Sequence, residues 1–145
     1  MPIRVIAIHH HAVRIKGVDL NDNLNFYHGL LGLTPDDRRP NIPGVPGLWI
    51  NVGDVGQIHL MGGPQPSPLS KGEGQDPTAP HVALAVSDIA EAKADLDLHG
   101  TPYWTLNGVT GPQAEQVFLH DPNGNIVELH QVDQCRCQAD NRLPR

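Results

Sequence analysis

The sequence predicts an α+β fold made of two copies of one β-α-β-β-β unit, and three observations predict it. The same order of apolar patterns runs twice, once over about residues 3–61 and again over about 81–131. Between the copies lies "GGPQPSPLSKGEGQDPTAP", residues 62–80, whose Pro and Gly content reads as a linker rather than a packed element. In each copy a strand with one branched apolar face precedes a helix with one apolar stripe, so each half is a sheet covered on one face and open on the other. Together with a polar tail at 132–145, the chain is read as a single domain over 1–145.

The elements follow in order. Ile3 to Ile15 is rich in β-branched residues and bounded by "KGVD", which predicts a strand. In "DLNDNLNFYHGLLG", Asp19 is a candidate N-cap, Leu20, Leu24, Tyr27 and Leu31 fall at helical spacing, and Gly32 ends the run. Short strands are expected near Leu33–Arg38, Leu48–Val52 and Gln57–Met61. After the linker, "HVALAV" predicts a strand and "SDIAEAKADLDLHG" a helix with Asp88 and Glu91 as an acidic capping box, Ile89, Ala92 and Leu96 buried, and Gly100 as its stop. "PYWTL", "AEQVFLH" and "NIVELHQ" supply the last three strands, the final pair joined by "DPNGN".

Composition narrows the function. A net charge of -6 with ten scattered Lys and Arg argues against a nucleic-acid surface. No run approaches the roughly 20 apolar residues that span a bilayer, and no secretory leader pattern opens the chain, so a cytoplasmic location without membrane association is expected. Cys135 and Cys137 are too few for a disulfide framework and read as reduced tail residues. The expected partner is a small-molecule substrate. Nine histidines against six Phe, Trp and Tyr are the unusual entry in this composition, and their placement carries the functional reading.

Side chains alternate across a strand. In "AIHHHAVRI" the branched set His11, Val13 and Ile15 takes the helix side, leaving His10, Ala12 and Arg14 on the open face. In "HVALAV", Val82, Leu84 and Val86 take the helix side and His81 the open face. In "QIHLM" and "IVELH" the residues turned to the open face are His59 and Glu128. His10 and His59 thus occupy the same two places in the first copy that His81 and Glu128 occupy in the second, and a pseudo-two-fold brings all four together. Any one of them alone reads as a solvated polar residue; four at matched repeat positions read as a transition-metal site, because neutral nitrogen and anionic oxygen donors suit Fe(II), Ni(II), Mn(II) or Zn(II). His9 and His11 are expected on the opposite face, His28 and His99 near helix ends, His120 beside a turn, and His130 either structural or a supporting neighbour of the site.

With these residues in view, "HHAVRIKGVDLNDNLNFYHGLLGL", "QIHLM", "HVALAVSDIAEAKADL" and "VFLHDPNGNIVELH" resemble the vicinal oxygen chelate superfamily, which includes glyoxalase I, bleomycin-resistance proteins and extradiol dioxygenases. The resemblance covers most of residues 5–131. It implies paired modules forming a cupped mixed sheet, usually in a homodimer, around one divalent metal that binds adjacent oxygens of a substrate. It places metal ligands at His10, His59, His81 and Glu128.

The resemblance leaves the reaction divided. In the dioxygenases, positions matching His10, His81 and Glu128 hold iron and the one matching His59 is an acid/base; Phe118 stands where those enzymes usually carry a tyrosine. In glyoxalase I all four positions are ligands with a carboxylate in each half, whereas His59 replaces the first carboxylate here. Arg14 matches an arginine that contacts glutathione, which makes it a candidate substrate-binding residue. An extradiol-type dioxygenase with His59 and Glu128 catalytic is placed first, a glyoxalase I-like lyase or isomerase acting on a thiol hemithioacetal second. A drug-sequestering or antibiotic-resistance protein, including the thiol-transfer kind, ranks below both.

Overall fold

The structure, a computed structural model, describes residues 3–17, 19–53 and 56–132. Cys135, Cys137 and most of the polar tail lie outside the described residues. The first unit comprises β1 (Val5–Arg14), a short helix α1 (Asn21–Leu24) running into a π-helical turn (Asn25–Leu30), β2 (Thr34–Pro35), β3 (Gly47–Val52) and β4 (Gly56–Met61). The second comprises β5 (His81–Val86), α2 (Ile89–Leu98), β6 (Trp104–Asn107), β7 (Glu115–His120) and β8 (Ile126–Gln131). All eight strands form one curved mixed sheet in the order β2-β3-β4-β1-β5-β8-β7-β6, which reads the same from both ends when one unit is exchanged for the other.

Three pairings position the site. Within the units β1 runs parallel to β4, setting Ala12 beside His59, and β5 runs parallel to β8, setting Ala83 beside Glu128. Between the units β1 and β5 are antiparallel, with Ala12 opposite His81, His11 opposite Val82 and His10 opposite Ala83. The pseudo-two-fold therefore passes between His11 and Val82 and carries His10 onto His81.

The helix side of the sheet carries the predicted branched residues. Leu84, Val86, Val117, Val127 and Leu129 pack against Ile89, Ala92 and Leu96 of α2. Asp88 caps that helix by accepting from Glu91 N at 3.0 Å. In the first unit Val13, Ile15, Ile50, Ile58 and Leu60 pack against Leu20 and Tyr27. Each fully buried Leu or Ile of these clusters contributes about 1.5–3 kcal/mol of transfer free energy.

The first helix departs from its expected form. Leu20, not Asp19, occupies the N-cap position, and Asp19 Oδ1 instead accepts from Asn21 N two residues later. The turn at Asn25–Leu30 closes with five-residue bonds such as Leu31 N to Phe26 O, which adds a residue to the turn and slips the helical phase. Leu31 is consequently exposed rather than part of the buried stripe. The expected strand at Leu33–Arg38 shortens to Thr34–Pro35, because Asp36 turns inward to bind the Arg38 main chain and side chain.

Residues 62–80 contain no helix or strand, yet they are built rather than slack. The Asp76 carboxylate accepts from Ser67 N (2.6 Å), Ser67 Oγ (2.7 Å), Thr78 N (2.9 Å) and Thr78 Oγ1 (2.8 Å), pulling both arms of the segment together. Ser67, Pro77 and Thr78 are buried, and Leu69 and Ala79 pack on Leu106, Phe118 and Ile126 from the open face of the sheet. The segment is a cover over that face. A hydrogen-bonding hub of this kind is invisible to composition, since Pro and Gly content says only that regular structure is excluded.

Burial would raise the Asp76 pKa, but the four hydrogen bonds from Ser67 and Thr78 outweigh it and hold the carboxyl below its ordinary 3.8. The stability it contributes is therefore present above pH 3.8 and is lost as pH falls through the depressed folded value. Asp76→Ala is expected to cost about 2 kcal/mol near neutral pH and to expose 62–80 to limited proteolysis, with the difference from wild type shrinking in denaturant titrations as pH is taken below 3.8.

Candidate metal centre

His10 of β1, His81 of β5 and Glu128 of β8 meet on the open face, all buried, with one donor atom from each lying within 4.8 Å of the others. His81 Nε2 stands 3.0 Å and His10 Nε2 3.4 Å from the same Glu128 Oε1. Two donors each about 2.1 Å from one ion, at right or tetrahedral angles, would be about 3.0–3.4 Å apart. All three donors come from one chain.

The hydrogen bonds behind these donors argue for a cation among them. His81 Nδ1 donates to Ala79 O at 2.8 Å, so in the neutral ring Nε2 carries a lone pair aimed at a carboxylate oxygen. Burial pushes the His10 pKa down to about 3, against the pull of Glu128, which leaves its ring neutral as well. Burial would lower His81 too, but the hydrogen bond and charge of Glu128 raise it above its ordinary 6.5; a proton on Nε2 does there what a metal would do. Burial alone would raise Glu128, yet the facing imidazoles of His10 and His81 hold it well below the carboxylate range. Lone pairs and an anion thus converge on one point in a desolvated site, and that donor set fits a divalent transition metal.

His59 is not part of that group. Its ring stacks between His10 (centroids 3.7 Å apart, planes at 14°) and Trp49 (4.5 Å, 9°), and its Nε2 is used on Gln57 Oε1 at 2.8 Å. A ring stacked face to face on His10 does not present an in-plane lone pair to the ion that His10 would hold. Arg14, expected to face substrate, is turned to the cover: it donates to Gly63 O at 2.6 Å and to Gly62 O and Thr78 O at 3.4 Å, closing the two ends of 62–80 together. Phe118 is buried edge-on against His81 at 5.9 Å.

Three further residues support the donors, and of them only His9 departs from strand alternation. Two steps along β1, from Ile8 to His10, match one step along β5, from Leu84 to Ala83, and this bulge turns His9 inward beside His10 instead of onto the opposite face. His9 is fully buried, its Nδ1 lies 2.8 Å from His10 Nδ1, and its ring stacks on His130 at 4.7 Å. His9 therefore orients His10 as Ala79 O orients His81, and His130 stacks against His9. The third is Gln116, buried, which donates from Nε2 to Glu128 Oε2 at 3.1 Å while its Oε1 has no partner among the described residues. No sequence pattern signals the bulge or the Gln116 contact. His28, His99 and His120 each bond a main-chain carbonyl near the surface, and His11 is exposed.

The cavity bounded by His10, His59, His81, Gln116 and Glu128, with Leu69 and Pro77 of the cover above, holds only about 20 Å³. That volume admits an ion or about one water, since a water needs roughly 10–15 Å³ by this measure.

Fold and donor set together define a duplicated β-α-β-β-β protein with a buried His-His-Glu cluster that could hold a metal. The chain belongs to the Glyoxalase/Bleomycin resistance protein/Dioxygenase superfamily, whose profile matches residues 7–129. It is 30% identical over 139 residues to Glyoxylase I 4 of Arabidopsis thaliana, spanning 95% of this chain and 75% of that one. Its fold is similar to methylmalonyl-CoA epimerase from Mycobacterium tuberculosis (TM-score 0.69, 22% identity, 90% of this chain and 91% of that one). It is also similar in fold to a catechol 2,3-dioxygenase (TM-score 0.60, 14% identity, 92% of this chain and 42% of that one).

If the three donors hold a metal, His81→Ala and Glu128→Ala will each abolish stoichiometric uptake in metal analysis after equilibration with Zn(II) or Mn(II). His59→Ala will retain it, and His9→Ala will weaken affinity by roughly 10–100-fold, as loss of an orienting partner does.

Proposed function

We propose that the protein is a metal-dependent enzyme of the glyoxalase type, which binds a small substrate through two adjacent oxygens and moves a proton between the neighbouring carbons. The observation that carries this reading is the convergence of His10, His81 and Glu128 with His59 close beside them yet outside their group. A bound Fe(II), Ni(II), Mn(II) or Zn(II) would supply Lewis-acid stabilisation of the negative charge that develops on the two oxygens. His59 takes the proton from one carbon and returns it to the next, so one C–H bond breaks, another forms, and no oxidant is consumed. Stacking on Trp49 and His10 keeps its ring in place. The cover 62–80 excludes water, and must lift for substrate because the closed cavity is so small. The likeness to Glyoxylase I 4 supports this reaction over one that uses O2.

A glutathione adduct is not favoured as the substrate, since the Arg14 guanidinium is spent on main-chain carbonyls. A smaller α-oxygenated carbonyl compound fits better. One observation favours a second reading, extradiol ring cleavage: two histidines and one carboxylate with other positions open form the donor set of non-haem Fe(II) oxygenases. Homodimerisation is proposed alongside, on the exposed apolar Val5 and Ile8 of β1 and Phe26 and Leu30 of the first helix.

The two reactions separate in one experiment. Protein stripped of metal and reloaded anaerobically with Fe(II), Ni(II), Mn(II) or Zn(II) is assayed for isomerisation of α-hydroxy and α-oxo carbonyl compounds, including hemithioacetals, and in parallel for O2 uptake with catechols. Isomerisation without O2 uptake, with more than one metal, is expected, and His59→Ala should lower kcat by about 10²–10⁴-fold. Uptake of O2 by the Fe(II) form alone would establish the second reading instead.

A further inference from the structure

We infer that Gln57, itself anchored by Asp36 and Asn51, is a positioning residue that fixes His59 as the Nε2–H tautomer and leaves Nδ1 as its basic nitrogen. The inference rests on the reading of His59 as the proton carrier and names the atom that acts.

A chain of hydrogen bonds runs inward from Arg38 through Asp36 and Gln57 to His59. Asp36 is buried and offers only acceptors; Arg38 donates to both its oxygens, Nε to Oδ1 at 3.1 Å and Nη2 to Oδ2 at 3.3 Å. Gln57, also buried, is 3.0 Å from Asp36 Oδ2 and 2.8 Å from Asn51 Oδ1 through the same terminal atom. A carboxylate paired with Arg38 has no proton to give, so the Gln57 atom facing it must be the NH₂ group. Both hydrogens of that group are then used, one on Asp36 and one on Asn51. This fixes the side of the amide that faces His59 as the carbonyl oxygen. Oε1 can only accept, hence the nitrogen 2.8 Å away, His59 Nε2, carries the hydrogen.

A neutral imidazole has one N–H. With Nε2 so committed, Nδ1 holds the lone pair, and no hydrogen bond to Nδ1 forms among the described residues. Reversing the amide would place a carbonyl against the Asp36 carboxylate and a donor against His59 Nε2, exchanging two good hydrogen bonds for a buried repulsion. The second unit has no such chain: Glu128 stands at the place of His59, and Ile126 at the place of Gln57. The Asp36–Gln57 device belongs to the unit that supplies the imidazole.

Nitrogen-15 NMR of the full-length protein, metal-free and Zn(II)-loaded, reads the tautomer directly from long-range correlations of the His59 ring. Wild type is expected to show Nε2 protonated and Nδ1 bare. Gln57→Met removes the acceptor while keeping the volume: the Nδ1–H form should appear and kcat should fall at least 10-fold, with KM and metal stoichiometry unchanged. The exchanged pair Asp36→Asn with Gln57→Glu keeps an acceptor against His59 and, with the Asn51 amide turned so that its NH₂ meets residue 57, donors against the new carboxylate, and should restore both the tautomer and kcat. A protonated Nδ1 in wild type, or a tautomer indifferent to Gln57→Met, overturns the inference. A tautomer that changes while kcat does not would instead overturn the reading of His59 as the proton carrier.

Discussion

The antiparallel pairing of β1 with β5 is the contact on which everything at the site depends. It is the largest join between the two units, and its register sets Ala12 against His81 and His10 against Ala83. Because side chains alternate, a slip of one residue would turn His10 or His81 to the helix side and leave a branched apolar residue in the cavity. Ala12 and Ala83 complete the arrangement. Each lies on the strand next to a functional group, His59 and Glu128 respectively, and only a side chain that small lets imidazoles and carboxylate approach above the sheet.

Bringing these groups together costs desolvation, and the surrounding structure is arranged to offset it. Ala79 O holds His81, His9 holds His10, and Gln116 holds Glu128, so each of the three donors has a fixed partner behind it. Outside them the cover is gathered by Asp76, whose partners Ser67 and Thr78 lie within it, and is joined to β1 by Arg14 at its two ends. Its hold on the sheet is those Arg14 bonds and the packing of Leu69 and Ala79, whereas the sheet beneath is held by continuous ladders and the apolar clusters on its helix side. The cover is therefore the part that can open at modest cost while the donors stay in place. A site that is dry when shut strengthens every electrostatic interaction inside it.

Much of the fold was legible because the two units repeat a pattern that physical periodicity enforces. Val13, Ile15, Leu84 and Val86 must face the helices, and that requirement alone turns His10 and His81 the other way. The same logic reached Glu128 and His59 through Leu129 and Leu60. It failed where the backbone leaves regular geometry. The β1 bulge at His9, the π-helical turn that exposes Leu31, and the inward turn of Asp36 all add or remove a residue from a repeat, and strict alternation has no register for that. It failed again for Arg14, whose strand face was correct but whose partners, the carbonyls of 62, 63 and 78, come from a segment without periodicity. Gln57 and Gln116 were unreadable for a related reason: their importance lies in side chains contributed by other strands, and nothing local distinguishes them from ordinary polar strand residues.

The duplication also explains why the two halves of the site differ in kind. Trp49 opposite His59 and Phe118 opposite Glu128 are the same cross-strand pair in two versions, an aromatic ring beside a polar group. In the second unit that polar group is an anion, so it is drawn to the imidazoles of His10 and His81 and closes the donor triad. In the first unit it is a neutral ring, which stacks between Trp49 and His10 and stands outside the donor triad. Under the proposed reading, one place in the repeat serves metal binding when filled by carboxylate and proton chemistry when filled by imidazole. The asymmetry extends outward, since only the imidazole needs a tautomer chosen for it, and only its unit carries Asp36 and Gln57 behind it.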